Sequence, residues 1–246
     1  MFQDAKVPRE ANFNPEDPSG ASWVKDLPRL NQTEIEDGDA WYRGRLQSLQ
    51  AVDEMVDEVF KRLEEHDMLD DTYIIFTSDN GYHISQHRLP PGKSCGYEED
   101  INVPLYIRGP GIPKDHVSEA VTAHIDLLPT FFKMAGISQR EDFDGTPIPW
   151  SLDGSDEEIK IEHANIEMWK NSYSINSVPA RKREIESPGN NTYKSVRLIG
   201  QDYSLYYSVW CTNEHEMYDM NVSVTWLPQI FRDMQLTIFN RRISTR

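Results

Sequence analysis

Between residues 41 and 66, apolar side chains recur at spacings of three and four: Leu46, Leu49, Val52, Val56, Val59, Phe60 and Leu63. That is one stripe on an amphipathic helix, with Glu and Asp forming a solvated opposite face. The pattern then changes. Tyr73–Thr77 is a short apolar run rich in β-formers, closed two residues later by Asp79-Asn80-Gly81, and it reads as a buried strand. Val103–Arg108 repeats that pattern ahead of a turn over Gly109–Pro113. "AVTAHIDLLPTFFKMAGI" predicts a third short strand and then a helix over Leu127–Met134, ended by Gly136. Strands alternating with helices predict an α/β fold, a mostly parallel sheet with flanking helices. Further on, "YKSVRLIGQDYSLYYSVW" holds two strand-like runs around Gly200-Gln201-Asp202. They predict an antiparallel hairpin in a small C-terminal subdomain.

The stretches between carry less pattern. Residues 1–40 are rich in Pro, Asn, Asp and Gly and predict an extended segment on the surface. Residues 41–136 form the α/β unit, 137–192 a polar loop region, and 193–246 the C-terminal β subdomain. The tail after Met220 has apolar and aromatic residues without a clean period, which is atypical for such a subdomain.

Composition narrows the function classes. The chain has 246 residues, enough for one sizeable domain or somewhat more. With 25 basic and 41 acidic residues the net charge is −16. A nucleic-acid surface is not expected, because phosphate binding needs clustered Lys and Arg. An anionic substrate is repelled at long range and must be captured by local groups. No apolar run reaches 18 residues, so no membrane span is predicted, and the start "MFQDAKVPRE" lacks the basic and apolar parts of a signal peptide. The two cysteines, Cys95 and Cys211, fit neither a CxxC pair nor a zinc cluster and read as free thiols. N-x-S/T triplets at Asn31, Asn190 and Asn221 hint weakly at a secretory origin.

The chemistry-bearing residues concentrate in "FTSDNGYHISQHRLPPGKS", residues 76–94. In open α/β sheets, ligands sit beyond the carboxyl ends of strands, where Asp79 and Asn80 fall. A carboxylate beside an amide oxygen suits a hard cation such as Ca²⁺ or Mg²⁺. The same triplet with Gly81 is also a common turn. Lys93, after the stiff Pro90-Pro91-Gly92, can set a point charge against a tetrahedral oxyanion, or stand as a solvated surface lysine. His83 and His87 are candidate general acids or anion donors, and Arg88 a candidate anion contact. Each of the three also reads as an ordinary surface residue.

Taken together, "YIIFTSDNGYHISQHRLPPGKSCGYEEDINVPLYIRGPGIP", residues 73–113, resembles the sulfatases, of the arylsulfatase and glucosamine-6-sulfatase type. The likeness runs upstream through "RLQSLQAVDEMVDEVFKRLEEHDMLDD" and downstream through "AHIDLLPTFFKMAGI". "YYSVWCTNEHEMYDM", residues 206–220, resembles the family's C-terminal signature. The resemblance implies a partial alkaline-phosphatase-like catalytic domain over 41–136. It implies Asp79 and Asn80 as one pair of calcium ligands, Lys93 as the sulfate-holding lysine, and His83 on the substrate side. His124 and Asp126 match a His-Ile-Asp element that reads as structural, with Asp126 suited to a helix N-cap.

The implied chemistry is hydrolysis of aryl or sugar sulfate esters through a calcium-bound formylglycine. That residue is made within C/S-x-P-S-R, which does not occur in these 246 residues. Cys95, followed by "GYEED", is no substitute. Asp70-Asp71 do not replace the family's first aspartate pair. They precede the strand and lie roughly 20 Å or more from Asp79 along an extended path. The chain therefore resembles the second half of a sulfatase. The expectations are weak calcium binding, no turnover by this chain alone, and self-association through an exposed sheet edge. Two alternatives belong to other classes. One is a non-catalytic remnant that binds a partner; the other is a phosphatase or phosphodiesterase of the alkaline-phosphatase type, which Asn80 disfavours. The family mostly travels the secretory route, whereas no entry signal is expected here.

Overall fold

The computed structural model describes residues 1–118, 120–150, 162–169 and 192–221. The first segment carries a single helical turn, α1 (Ser22–Lys25), before the long helix α2 (Gln32–Glu65). Helix α2 therefore starts inside the stretch expected to be extended. Its start is set by a capping box. The Asn31 side chain accepts from the Glu34 amide at 3.1 Å, and the Glu34 carboxylate accepts from the Asn31 amide at 2.8 Å. Its end is set by Asp67, at φ 53°. There the Asp67 amide reaches the Glu64 carbonyl and the Met68 amide reaches the Leu63 carbonyl, satisfying carbonyls the helix leaves open.

Strand β1 (Ile74–Thr77) follows one 3-10 turn over Leu69–Asp71, and β2 (Leu105–Arg108) follows the short helix α3 (Glu98–Ile101). The two strands pair antiparallel, Ile74 opposite Arg108 and Thr77 opposite Leu105. The alternation of elements predicted parallel pairing. The connection decides otherwise, because residues 78–104 contain only the four-residue α3 and lead directly back along β1. A parallel partner needs a crossover on the scale of a full helix. The third strand expected ahead of Leu127 is not formed among the described residues; His124–Asp126 makes a 3-10 turn leading into α4 (Leu127–Met134).

The C-terminal sheet is an antiparallel meander of β3 (His163–Met168), β4 (Tyr193–Ile199), β5 (Ser204–Trp210) and β6 (His215–Asp219). The expected hairpin at Gly200–Asp202 joins β4 to β5. Strand β3 falls inside the region expected to be polar loop. Its signal is a clean alternation, with Ala164, Ile166 and Met168 half-buried and His163, Asn165 and Glu167 exposed. Residues 151–161 and 170–191 of that loop region lie outside the described residues, as does the tail beyond residue 221; Asn190 falls among them.

The core sits where the first segment, the 76–97 loop and the C-terminal sheet meet. Val24, Leu27, Leu89, Cys95, Tyr97, Tyr206 and Tyr218 form one cluster, and Ala21, Tyr193 and Trp210 another. Alternate positions of the meander face inward, so Tyr193 lies opposite Trp210 and Tyr206 opposite Tyr218. Trp23 packs edge-on to Trp210 at 5.3 Å. Each buried aliphatic here contributes about 1.5–3 kcal/mol. The first segment is thus a structural part of the core, with Val7, Val24, Leu27 and Leu30 all buried. No helix among the described residues is long and apolar enough to cross a membrane.

Candidate functional site

Asp79 and Asn80 emerge at the carboxyl end of β1. The chain is pinned immediately afterwards, because the Gly81 amide donates to the Asp100 carbonyl at 2.8 Å and the Tyr82 amide to the Glu99 carbonyl at 2.7 Å. Gly81 is required by this approach; a Cβ there would lie 1.9 Å from the Glu99 carbonyl oxygen. The Asp79 carboxylate accepts from the Asn80 amide at 2.9 Å, and the Asn80 Nδ2 donates to the Gly81 carbonyl at 2.8 Å. That second bond turns the Asn80 Oδ1 outward.

Lys93 arrives at the same point from the far limb of the loop. Its Nζ donates to Asn80 Oδ1 at 3.0 Å and stands 4.0 Å from Asp79 Oδ2. The lysine is 53% exposed and the aspartate 83% exposed, so both heads are open to a ligand. Asp79 and Asn80 also line a cleft of about 610 Å³, together with Ser94, Glu98 and, from β3 and β4, Ile166 and Arg197.

His83 lies elsewhere. It is 2% exposed, and its Nδ1 faces both oxygens of Asp100, at 2.9 and 3.0 Å. Asp100 is itself 4% exposed and also accepts from the Cys95 amide at 2.6 Å. The His83 main chain exchanges two hydrogen bonds of 3.0 Å with Gly92, next to Lys93. One buried carboxylate and one ring thus clamp both limbs of the loop. The His83 Nε2 has no hydrogen-bond partner among the described residues. The Cys95 thiol is buried, and burial with the nearby Asp100 pushes its pKa well up, which makes it a poor nucleophile.

Other candidates are committed to structure. Arg88 is no anion contact: it donates to the carbonyls of Pro15, Leu27 and Glu16 at 3.0, 2.9 and 2.6 Å, tying the first segment to the loop. His87 is buried, stacked on Tyr97 at 4.3 Å and 3.8 Å from Glu99. Burial raises the Glu99 pKa, but His87 and Asn12 outweigh it and hold the carboxyl below its usual range. Asp70 pairs with Arg108 at 3.2 Å, on the side of the strand away from Asp79 in sequence. Asp126 does not cap α4 with its side chain; it accepts from the amides of Ala123 and Thr146 at 2.7 and 2.9 Å. His124, beside it, reaches the Ser78 carbonyl at 2.9 Å. The sequence reading missed Asp100; its only signal was an acidic residue among others in "YEED".

The donor set fits a hard cation in kind, since Asp79 offers a carboxylate oxygen and Asn80 an amide oxygen. It does not fill one, because Ca²⁺ takes six to eight oxygens.

The sequence model of the Sulfatase family matches residues 4–137, more than half of the chain. A sulfatase, ppz1, of Metarhizium majus (strain ARSEF 297) is 43% identical over 224 residues, covering 91% of this chain and 46% of the relative. An arylsulfatase of Volvox carteri is 32% identical, covering 98% and 40%. N-acetylglucosamine-6-sulfatase of Bos taurus is 34% identical, covering 84% and 39%. Among solved structures, BT4656 in complex with its substrate D-glucosamine-2-N,6-O-disulfate superposes with a TM-score of 0.63 at 24% identity. It covers 80% of this chain and 37% of that one. A phosphonate monoester hydrolase from Silicibacter pomeroyi gives 0.63 at 22% identity, covering 89% and 44%. These two likenesses speak for the fold alone. The chain spans less than half the length of these curated relatives. Its fold is of the alkaline-phosphatase-like α/β class, and the chain belongs to the sulfatase family.

Proposed function

We propose that this chain carries the cation-binding and sulfate-binding part of a sulfate-ester hydrolase acting on aryl or sugar sulfates. The observation that supports it is the convergence of Lys93, Asn80 and Asp79 on one exposed point at a strand's carboxyl end. Asp79 and Asn80 would hold calcium. What calcium supplies when bound is positive charge against the sulfate oxygens. Lys93 adds a fixed ammonium with N–H donors for the same oxygens. Local capture of this kind is needed, because a net charge of −16 disfavours an anion at longer range. We assign His83 to holding the loop rather than to the substrate side, on the strength of its burial and its bond to Asp100.

The 246 residues hold no C/S-x-P-S-R from which a formylglycine is made. We therefore read the chain alone as inactive, with a weak calcium site. Calorimetric titration of the purified chain with Ca²⁺ tests the main proposal. Weak binding that vanishes in Asp79→Asn is expected. Tight stoichiometric zinc instead would favour a phosphoryl-transfer enzyme. Turnover of a chromogenic aryl sulfate by the chain alone would overturn the assignment of inactivity.

A further inference from the structure

Three metal-ligating side chains meet behind the loop that carries Lys93. His83, Cys95 and Asp100 offer ligand atoms that all lie within 4.8 Å of one another. The three residues are 2%, 5% and 4% exposed. Asp100 assembles them: it faces the His83 Nδ1 with both carboxylate oxygens and accepts from the Cys95 amide. Hydrogen bonding within the cluster is incomplete, because the His83 Nε2 is buried with no partner among the described residues. Buried polar atoms are nearly always satisfied, and an unmet one calls for a physical account. Cys95 and Asp100 also line the cleft that Asp79 and Asn80 line, which gives an ion a way in from solvent.

The donor types choose the ion. A thiolate, an imidazole and a carboxylate make a zinc set, whereas calcium takes oxygen alone. Charge agrees with that choice. Zn²⁺ against one thiolate and one carboxylate leaves no net charge, as a buried site requires. We propose that His83, Cys95 and Asp100 form a zinc site, separate from the Asp79–Asn80 pair, that ties the Lys93 limb of the loop to its buried anchor. Binding forms a Zn–S bond while the Cys95 S–H bond breaks, and the thiol proton passes to water. Burial keeps that thiol protonated without a metal, and a bound dication reverses the preference. Three protein ligands leave the fourth tetrahedral position to water or an incoming group. Cys95 stands two residues after Lys93, so the ion braces the backbone that carries the ammonium. The proposal rests on this geometry and not on the hydrolytic reading.

The experiment titrates the purified 246-residue chain, carrying Cys211→Ser and kept reduced, with Co²⁺ as a spectroscopic substitute for zinc. Cys211 is exposed and would otherwise add a thiolate of its own. A sulfur-to-cobalt charge-transfer band is expected, saturating at one ion per chain and erased by Zn²⁺. Adding Cys95→Ser should abolish the band and weaken zinc at least about ten-fold, the lower end of what altered metal surroundings cost. Asp79→Asn should leave band and affinity unchanged, which separates this zinc from zinc held at the strand end. X-ray absorption of the zinc-loaded chain needs no variant at Cys95. It should show one sulfur at about 2.3 Å and nitrogen or oxygen at about 2.0–2.2 Å. No charge-transfer band, a band that survives Cys95→Ser, zinc lost with Asp79→Asn instead, or zinc without a sulfur neighbour would each overturn the proposal.

Discussion

Lys93 Nζ donates to Asn80 Oδ1 at 3.0 Å, across thirteen residues of loop. The contact exists because His83 and Gly92 pair main chain to main chain while Asp100 holds the His83 ring and the Cys95 amide. Both limbs are therefore anchored just behind the Lys93 and Asn80 side chains. The same loop holds Ser85, His87, Arg88 and Ser94 at φ between 54° and 87°, a conformation such residues adopt only under tertiary constraint.

The first prediction concerns that anchor. Asp100→Ala leaves a buried histidine and a buried amide unsatisfied, which should cost about 3 kcal/mol of stability. Urea unfolding measures it. A loss under about 0.5 kcal/mol would remove Asp100 from the role given to it here.

Charge at the proposed cation site gives the second. Lys93→Met removes an ammonium 4.0 Å from Asp79, so Ca²⁺ affinity of the chain should rise several-fold at low salt. Sulfate affinity should fall in the same variant. Terbium luminescence reads the first effect and competition by sulfate the second; weaker cation binding would contradict the geometry.

Gly81 supplies the third. Gly81→Ala sets a methyl against the Glu99 carbonyl and must move the strand-end loop, at a cost of about 1–3 kcal/mol. The calcium response should disappear with it. Retention of both stability and binding would show that the close approach is not needed.

Glu216 supplies a pH prediction. It accepts from the Ala21 amide, the Tyr97 hydroxyl and the Ser208 hydroxyl, joining the first segment to the C-terminal sheet. Burial pushes its pKa up to about 6, against 4.5 for an ordinary glutamate. The folded chain then binds a proton that the unfolded chain has lost between those values. This group's contribution is most favourable below about pH 4.5, declines as pH rises to about 6, and is constant above, a span of about 2 kcal/mol. Thermal melts of the native chain minus those of Glu216→Gln should show that slope. A flat difference across the window would refute it.

Much of the fold was legible locally. The α2 stripe, the β1 and β2 runs, α4 and the β4–β5 hairpin all follow from periodicity and turn residues, which depend on neighbours in sequence. Strand β3 was not read, because its flanking polar residues hid the alternation of Ala164, Ile166 and Met168. Nor was antiparallel pairing of β1 with β2, because strand direction depends on how the 78–104 connection packs. At the site, Asp79, Asn80 and Lys93 were marked by residue type and by a long motif, while Asp100 carried no local mark.

The sequence by itself determined which residues could meet a cation and an anion, and which family the chain resembles. Those properties reside in side-chain chemistry and in a motif read along the chain. Only the tertiary structure decided that Lys93 turns onto Asn80, that His83 and Arg88 are bound up in holding the loop, and that the core lies against the C-terminal sheet. Burial and hydrogen bonding between distant segments settle such questions, and no local pattern encodes them.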